Sequence, residues 1–338
     1  MHWPPPKLTD VSAAFGAGSA PGIWMLHEPA HVLAGNKRFK LERNLERALE
    51  QGKKGVVSFG GAWSNHVAAL AHATCQRGLQ CVCIIRGEPA YLSNATLSEA
   101  RRQGAHFEFV TRQEYRKRMD LCWMERLQQR FPDFMLLPEG GSNTLAVESC
   151  TSMLDTMDVD FRDTLDLVAC PVGTGATLSG LRLGLNGLQQ VRGYLAVNDP
   201  ETRVRMERWW STLRANDLAV KLSLVDASAP GYARLEQAHY RCISHWLETT
   251  GILLDPVYTV KMVSVFVSEI DRGLFSPDTR IVLLHTGGYQ GWRGWLDGDR
   301  NIAMRRHLSS SAIAEIERVI HDSKIDTLEC TNSNPQNA

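Results

Sequence analysis

At 338 residues the chain exceeds the ~250 to 300 residues at which single hydrophobic cores stop growing, so two domains are expected. Its 37 Lys and Arg balance 37 Asp and Glu, which leaves no field to draw it to nucleic acid or an acidic membrane and favours a small neutral or zwitterionic partner. Eight scattered cysteines, without the paired CxxC sets of zinc sites, fit a reduced protein with no metal.

From the N-terminus, MHWPPPKLTD lacks a basic region followed by an apolar run. No segment approaches the ~20 apolar residues of a membrane span, so a cytoplasmic protein is expected. Lys37 stands in AGNKRFKLE, in a loop just ahead of the helical pattern LERNLERALEQG. A lysine that forms an imine must be reachable as the free amine, and partial desolvation beside other cations, here Arg38 and Lys40, lowers its pKa toward that form. Taken alone, the segment reads as a solvated surface cluster, and other motifs must carry the functional reading.

From residue 56, short apolar runs alternate with longer amphipathic stretches, the pattern of parallel strands joined by crossover helices. VVSF near 56, CVCIIRG near 81, HFEFVT near 106 and FMLLPEG near 134 are predicted strands. HVAALAHATCQ, LSEARRQ and YRKRMDLCWMERLQQRF are predicted helices, with apolar residues at helical spacing. Between the first strand and helix, FGGAWSNHVAALA holds Gly60, Gly61, Ser64, Asn65 and His66. The glycines allow a ligand close to the backbone, while Ser64 and Asn65 either cap the helix or present donors outward. The GxSxG of a nucleophile elbow does not occur here.

A second series runs through DLVACPVG near 166, YLAV near 194, KLSLV near 221 and RIVLLHTGG near 280. Within it, VGTGATLSG places Gly173, Thr174, Gly175, Ala176 and Thr177 in a tight turn between a strand and a helix. Amides and dipole at a helix N-terminus make such a turn an anion site, and the hydroxyls of Thr174 and Thr177 add donors; a plain structural turn is the alternative. A dinucleotide fingerprint fits less well because its third glycine falls on Leu178, although Asn198 and Asp199 lie nearby and keep a nicotinamide-dependent oxidoreductase open. The fold class is therefore α/β with two open parallel-sheet domains. Residues 1–42 and 151–325 are expected to form the larger, 43–150 the smaller, and the polar stretch 326–338 a flexible tail.

These three motifs, in this order, resemble the family containing 1-aminocyclopropane-1-carboxylate deaminase and D-cysteine desulfhydrase, among the tryptophan synthase β-like, fold type II enzymes of pyridoxal 5'-phosphate (PLP). The resemblance covers most of residues 30 to 290. It implies that Lys37 carries PLP as a Schiff base and removes the α-proton, that Asn65 meets the phenolic oxygen, and that Ser64 faces the substrate. It further implies that residues 173 to 177 hold the phosphate, that APGYARLEQ and LLDPVYTVKM bring Tyr232 and Tyr258 to the substrate, and that the enzyme is a homodimer.

The deaminase pattern has glutamate where Thr259 stands. A neutral hydroxyl there leaves the cofactor ring a weaker electron sink, which suits β-elimination better than opening an unactivated cyclopropane. The resemblance thus implies a D-cysteine desulfhydrase-like lyase that converts a small amino acid into a 2-oxo acid, ammonia and sulfide. 1-Aminocyclopropane-1-carboxylate deaminase is an alternative, and so is a PLP- or amino-acid-binding protein with little turnover. His66 in place of the deaminase glutamine, and Tyr289 after HTGG, are further departures; Lys40 is assigned to the phosphate or its surroundings, with a solvated helix-start lysine as the alternative, and Glu139 in LLPEGGSN stands near a strand end.

Overall fold

The structure, a computed structural model, describes residues 5–16, 21–29, 35–187, 189–213, 220–296 and 298–332, with side chains placed to 322. The chain builds two sheets. The smaller is wholly parallel, in the order β5-β4-β3-β6, from β3 (Gly55–Gly61), β4 (Gln80–Arg86), β5 (Ala105–Val110) and β6 (Phe134–Leu136). The larger has six strands in the order β1-β2-β10-β7-β8-β9. Its members are β1 (Lys7–Asp10), β2 (Gly22–His27), β7 (Leu167–Val172), β8 (Gln190–Leu195), β9 (Lys221–Asp226) and β10 (Arg280–His285). All of its pairings are parallel except that of β1 with β2.

Helices cover both faces of each sheet, which is why the strands read as unbroken apolar runs. In β10, Ile281 and Leu283 enter one core while Val282 and Leu284 enter the core behind it. In the smaller sheet, Val56, Cys81 and Cys83 face one side and Val57, Val82 and Ile84 the other. The period of two that parallel strands impose is thus filled with apolar side chains on both faces. Fold type II architecture follows from this pair of sheets.

Several local expectations change. The pair β1 and β2 was not predicted, because the polar KLTD is too short to show a periodicity and GIWMLH stands outside the later alternation of strands and helices. YRKRMDLCWMERLQQRF is two helices, Arg112–Arg116 and Leu121–Arg130, because the Asp120 side chain accepts from Cys122 N (2.9 Å) and caps a new start. The final helix, Ser310–Asn332, continues through residues expected to open a flexible tail at 326; residues 333–338 lie outside the described part. No helix among the described residues is long and apolar enough to cross a membrane.

Candidate functional site

The site gathers where the strand ends of the larger sheet meet the helix Lys37–Glu50 and the loop after β3. Lys37 is the first residue of that helix rather than part of a loop ahead of it, with Asn36 at the N-cap. Gly35 precedes them at φ 53°, packed so tightly on the chain leaving β10 that a Cβ would sit 2.3 Å from the Thr286 carbonyl oxygen. Asn36 N–H donates to that same carbonyl at 2.8 Å, so the start of the helix is fastened to the larger sheet.

Lys37 Nζ donates to Asn36 Oδ1 (3.1 Å) and lies 5.9 Å from the centre of the Tyr258 ring. Burial, and then the neighbouring Lys40, bring its pKa down to about 7, so much of the amine is free at neutral pH. Asn36 Nδ2 also donates to Thr177 Oγ1 at 2.7 Å, tying the lysine to the glycine-threonine turn 141 residues away.

That turn follows β7 and opens the helix Ala176–Gly184. Gly175 takes φ 96°, where a Cβ would stand 2.6 Å from Met206 Cγ, and a Cβ on Gly173 would press on Tyr258 at 3.0 Å. Both glycines are therefore required by shape. Lys40, almost wholly buried, reaches Thr174 Oγ1 at 3.4 Å, and Ser142 Oγ lies 2.6 Å from the same oxygen. Among the described residues no carboxylate lies within 4 Å of Lys37 or Lys40. Two lysine amines and the first amides of a helix thus converge without an anion of the protein's own. Asp199, which had kept the nicotinamide reading open, accepts from Arg205 (2.5 Å) and Thr202 (3.2 Å), and Arg205 donates to the Thr174 carbonyl. It braces the turn.

In the SNH turn, Ser64 caps the helix Asn65–Cys75 by accepting from Val67 N at 3.3 Å. Asn65 is held from the opposite side of the site: Gln290 donates to its Oδ1 and to the Trp63 carbonyl (3.1 Å), and Thr96 donates to Gln290 Oε1 (2.8 Å). Gly288 lies so close to Asn65 that a Cβ there would overlap Nδ2 at 2.1 Å. His66 is buried and pushed down to about 3 by desolvation, with Lys37 and Lys40 adding to the effect. The Ser58 hydroxyl donates its one proton to the Leu137 carbonyl (2.8 Å), so His66 Nε2 must carry the proton it shares with Ser58 Oγ (2.7 Å). Nδ1 is left as a buried acceptor with no partner.

Tyr258 and Tyr232 form the next wall, edge to face with centroids 6.4 Å apart and their hydroxyls hydrogen-bonded to each other. Burial and the neighbouring Tyr232 push Tyr258 well above the ordinary phenol range, so it remains a proton donor. Asp255 fixes the backbone below: its carboxylate accepts from Val257 N (3.0 Å), Tyr258 N (2.8 Å) and Thr259 N (2.8 Å). Thr259 is fully buried and its hydroxyl has no partner.

Lys37 therefore stands directly against Tyr258, Asn36 links it to Thr177, Lys40 reaches Thr174, Gly173 and Tyr232 join through Tyr258, and Asn65 joins through the Gly287–Gly288 corner. For Ser64 the contacts show a helix cap. Sequence reading missed Asn36, Asp255, Ser142 and Gln290. Only Asn36 carried a signal, its place beside the lysine; the other three act over distances in sequence that no local pattern displays. Glu139 accepts from Tyr115 (2.7 Å) and Arg118 (2.6 Å) near the mouth. Tyr289 is buried against His285, so it packs in the core. No group of three or more His, Cys, Asp or Glu among the described residues would hold a metal ion.

A two-sheet α/β protein that offers a free buried amine, an anion turn facing it and an aromatic wall between them has the design of an enzyme that holds a phosphorylated aldehyde. The chain belongs to the pyridoxal-phosphate dependent enzyme family, whose model matches residues 7–287. It is 29% identical over 273 residues to a putative 1-aminocyclopropane-1-carboxylate deaminase of Thermotoga maritima, covering 77% of this chain and 86% of that protein. It is 26% identical to the bifunctional D-cysteine desulfhydrase/1-aminocyclopropane-1-carboxylate deaminase of Arabidopsis thaliana (77% and 70% covered) and 26% identical to a D-cysteine desulfhydrase of Serratia proteamaculans (76% and 83%). Among solved structures, an ACC deaminase homologue superposes with a TM-score of 0.75 at 22% identity, covering 89% of this chain and 94% of that one. Escherichia coli diaminopropionate ammonia lyase in apo form superposes at 0.57 and 13% identity, covering 90% and 85%. The protein is a PLP-dependent enzyme, and the nicotinamide reading has no support.

The residues fit this cofactor. The phosphate matches the Gly173–Thr177 turn with Lys40, the aldehyde matches the Lys37 amine, and the partnerless Thr259 hydroxyl offers a neutral hydrogen bond to a ring atom.

Proposed function

We propose that the protein is a D-cysteine desulfhydrase-like lyase: a small β-substituted amino acid and water give a 2-oxo acid, ammonia and the β-substituent as its hydride, sulfide where the substituent is a thiol. The observation that carries the reading is the free Lys37 amine against Tyr258, tied through Asn36 to the Gly173–Thr177 turn.

PLP, when bound, supplies the electron sink that makes an α-proton removable. Lys37 Nζ would hold the cofactor's aldehyde and, as the free amine, would take that proton. The Cβ–S bond then breaks with its electron pair on sulfur, and the coupled Tyr232 and Tyr258 hydroxyls supply the proton the thiolate takes up. Ser64 and the amides at the start of the Asn65–Cys75 helix hold the substrate carboxylate. Asn65, clamped by Gln290, orients the cofactor's phenolic oxygen. Thr259 would offer the cofactor ring a hydroxyl rather than a charge, which favours a substrate that brings its own leaving group. 1-Aminocyclopropane-1-carboxylate is the second reading, supported by the deaminases among the relatives.

The reading includes a homodimer in the cytoplasm, which light scattering and cell fractionation test. The reaction is tested by incubating PLP-loaded protein with D-cysteine, L-cysteine, D-serine and 1-aminocyclopropane-1-carboxylate. Equal amounts of sulfide and 2-oxo acid from D-cysteine are expected; no 2-oxo acid from any of the four sinks the proposal.

A further inference from the structure

Lys261 is fully buried on the helix Thr259–Asp271, and no carboxylate among the described residues lies within 4 Å of its ammonium. Its three hydrogens meet three backbone carbonyls instead: Gly231 at 2.6 Å, Ser228 at 2.9 Å and Ala196 at 3.3 Å. Two of these belong to the loop after β9, and the residue that follows Gly231 is Tyr232.

Packing holds this loop at its flanks, where Ala227 is buried and Ala233 rests against the core, while Tyr232 between them is 51% exposed with Tyr258 as its aromatic neighbour. Gly231 takes φ 128°, and Ala233 takes φ 51°, a left-handed conformation that a residue with a Cβ disfavours. A chain bent this way on both sides of an exposed tyrosine needs an outside restraint. The ammonium supplies one from within the first turn of the helix that Tyr258 caps.

The placement is costly, since a buried cation near a helix N-terminus opposes both solvation and the helix dipole. A neutral apolar side chain would fill the space without that cost, but it would take the side-chain donor from carbonyls of which, among the described residues, Ser228 and Gly231 keep just their turn bonds (Gly231 N at 2.8 Å, Arg234 N at 3.3 Å), and it would cut the tie between loop and helix. Burial holds the amine below the ordinary lysine pKa, with Asp226 opposing.

We infer that Lys261 is a positioning residue that joins the Ser228–Ala233 loop to the Thr259–Asp271 helix and thereby sets the Tyr232 hydroxyl against that of Tyr258. The kinetic part of the inference rests on the elimination reading; the structural part does not. Lys261→Met removes all three donors at similar length. Its PLP absorbance and cofactor affinity should match the parent, while amide hydrogen exchange across 228–233 accelerates by roughly tenfold or more. With a turned-over amino acid, kcat should fall while KM stays within about twofold, and Tyr232→Phe should cost much less in the Lys261→Met background than in the parent, as expected of groups acting as one unit.

Exchange and kcat both within about twofold of the parent, or Tyr232 and Lys261 effects that simply multiply, would overturn the inference. Should Lys261→Met fail to fold, Lys261→Ala in ammonium chloride replaces it: recovery of loop protection over a sodium chloride control supports the clamp, and equal protection in both salts refutes it. If the parent protein releases no 2-oxo acid from any amino acid, the elimination reading fails while the exchange measurement still decides the role of Lys261.

Discussion

Two interior lysines serve the two tyrosine-bearing segments, Lys37 beside the Tyr258 ring and Lys261 under the backbone just ahead of Tyr232, and the protein treats them in opposite ways. Around Lys261 the backbone converges until every ammonium hydrogen has a carbonyl. Around Lys37 it withholds partners: one amide oxygen at 3.1 Å, the face of a ring at 5.9 Å, and a second cation nearby. Both amines are desolvated, so burial alone does not make a lysine reactive. The difference lies in how many of its hydrogens are already committed, and an amine with spare valence beside another cation gives up its proton near neutrality.

The sharpest way to break this comparison is to remove the free amine. Lys37→Ala should abolish the visible cofactor band and cut turnover by on the order of 10³-fold or more, measured by absorbance and 2-oxo acid release. Next in size, Tyr232→Phe should lower kcat by roughly 10²-fold, the lower range for losing a positioned proton donor, with the cofactor band intact in the same spectrum. Lys40→Met should weaken PLP binding by roughly ten- to a hundredfold in a fluorescence titration, since hydrogen bonds to charged groups contribute about 1.5 to 3 kcal/mol.

A pH series separates the two lysines without mutation. Because the Lys37 pKa is lowered to about 7, its free-amine fraction climbs as pH rises through that value and then levels off. The rate of PLP capture by cofactor-free protein should rise roughly tenfold from pH 6 to 8 and little beyond; continued growth toward pH 10 would mark an ordinary solvated lysine. The smallest effect is the most specific. Thr259→Val removes a buried hydroxyl without a partner, so cofactor-free protein should gain about 1 kcal/mol while the Tm increase on adding PLP shrinks, both read by calorimetry.

Much of this was legible in the sequence because it was local. Unbroken runs such as VVSF and RIVLLH can be covered on both faces only in parallel sheets, and VGTGATLSG announces a strand, a turn and a helix N-terminus within nine residues. What escaped depends on closure in three dimensions. Gln290 reaches Asn65 across 225 residues, and Lys261 reads as one more charge on an amphipathic helix until the carbonyls of 196, 228 and 231 gather around it. Tyr289, which the sequence marked only as a departure after HTGG, is packed in the core.

The most direct test is to reduce PLP-loaded protein with borohydride, digest it and locate the phosphopyridoxyl group by mass spectrometry. The account predicts one labelled lysine, Lys37. A label on Lys40 or Lys261, or none on any lysine, would contradict it.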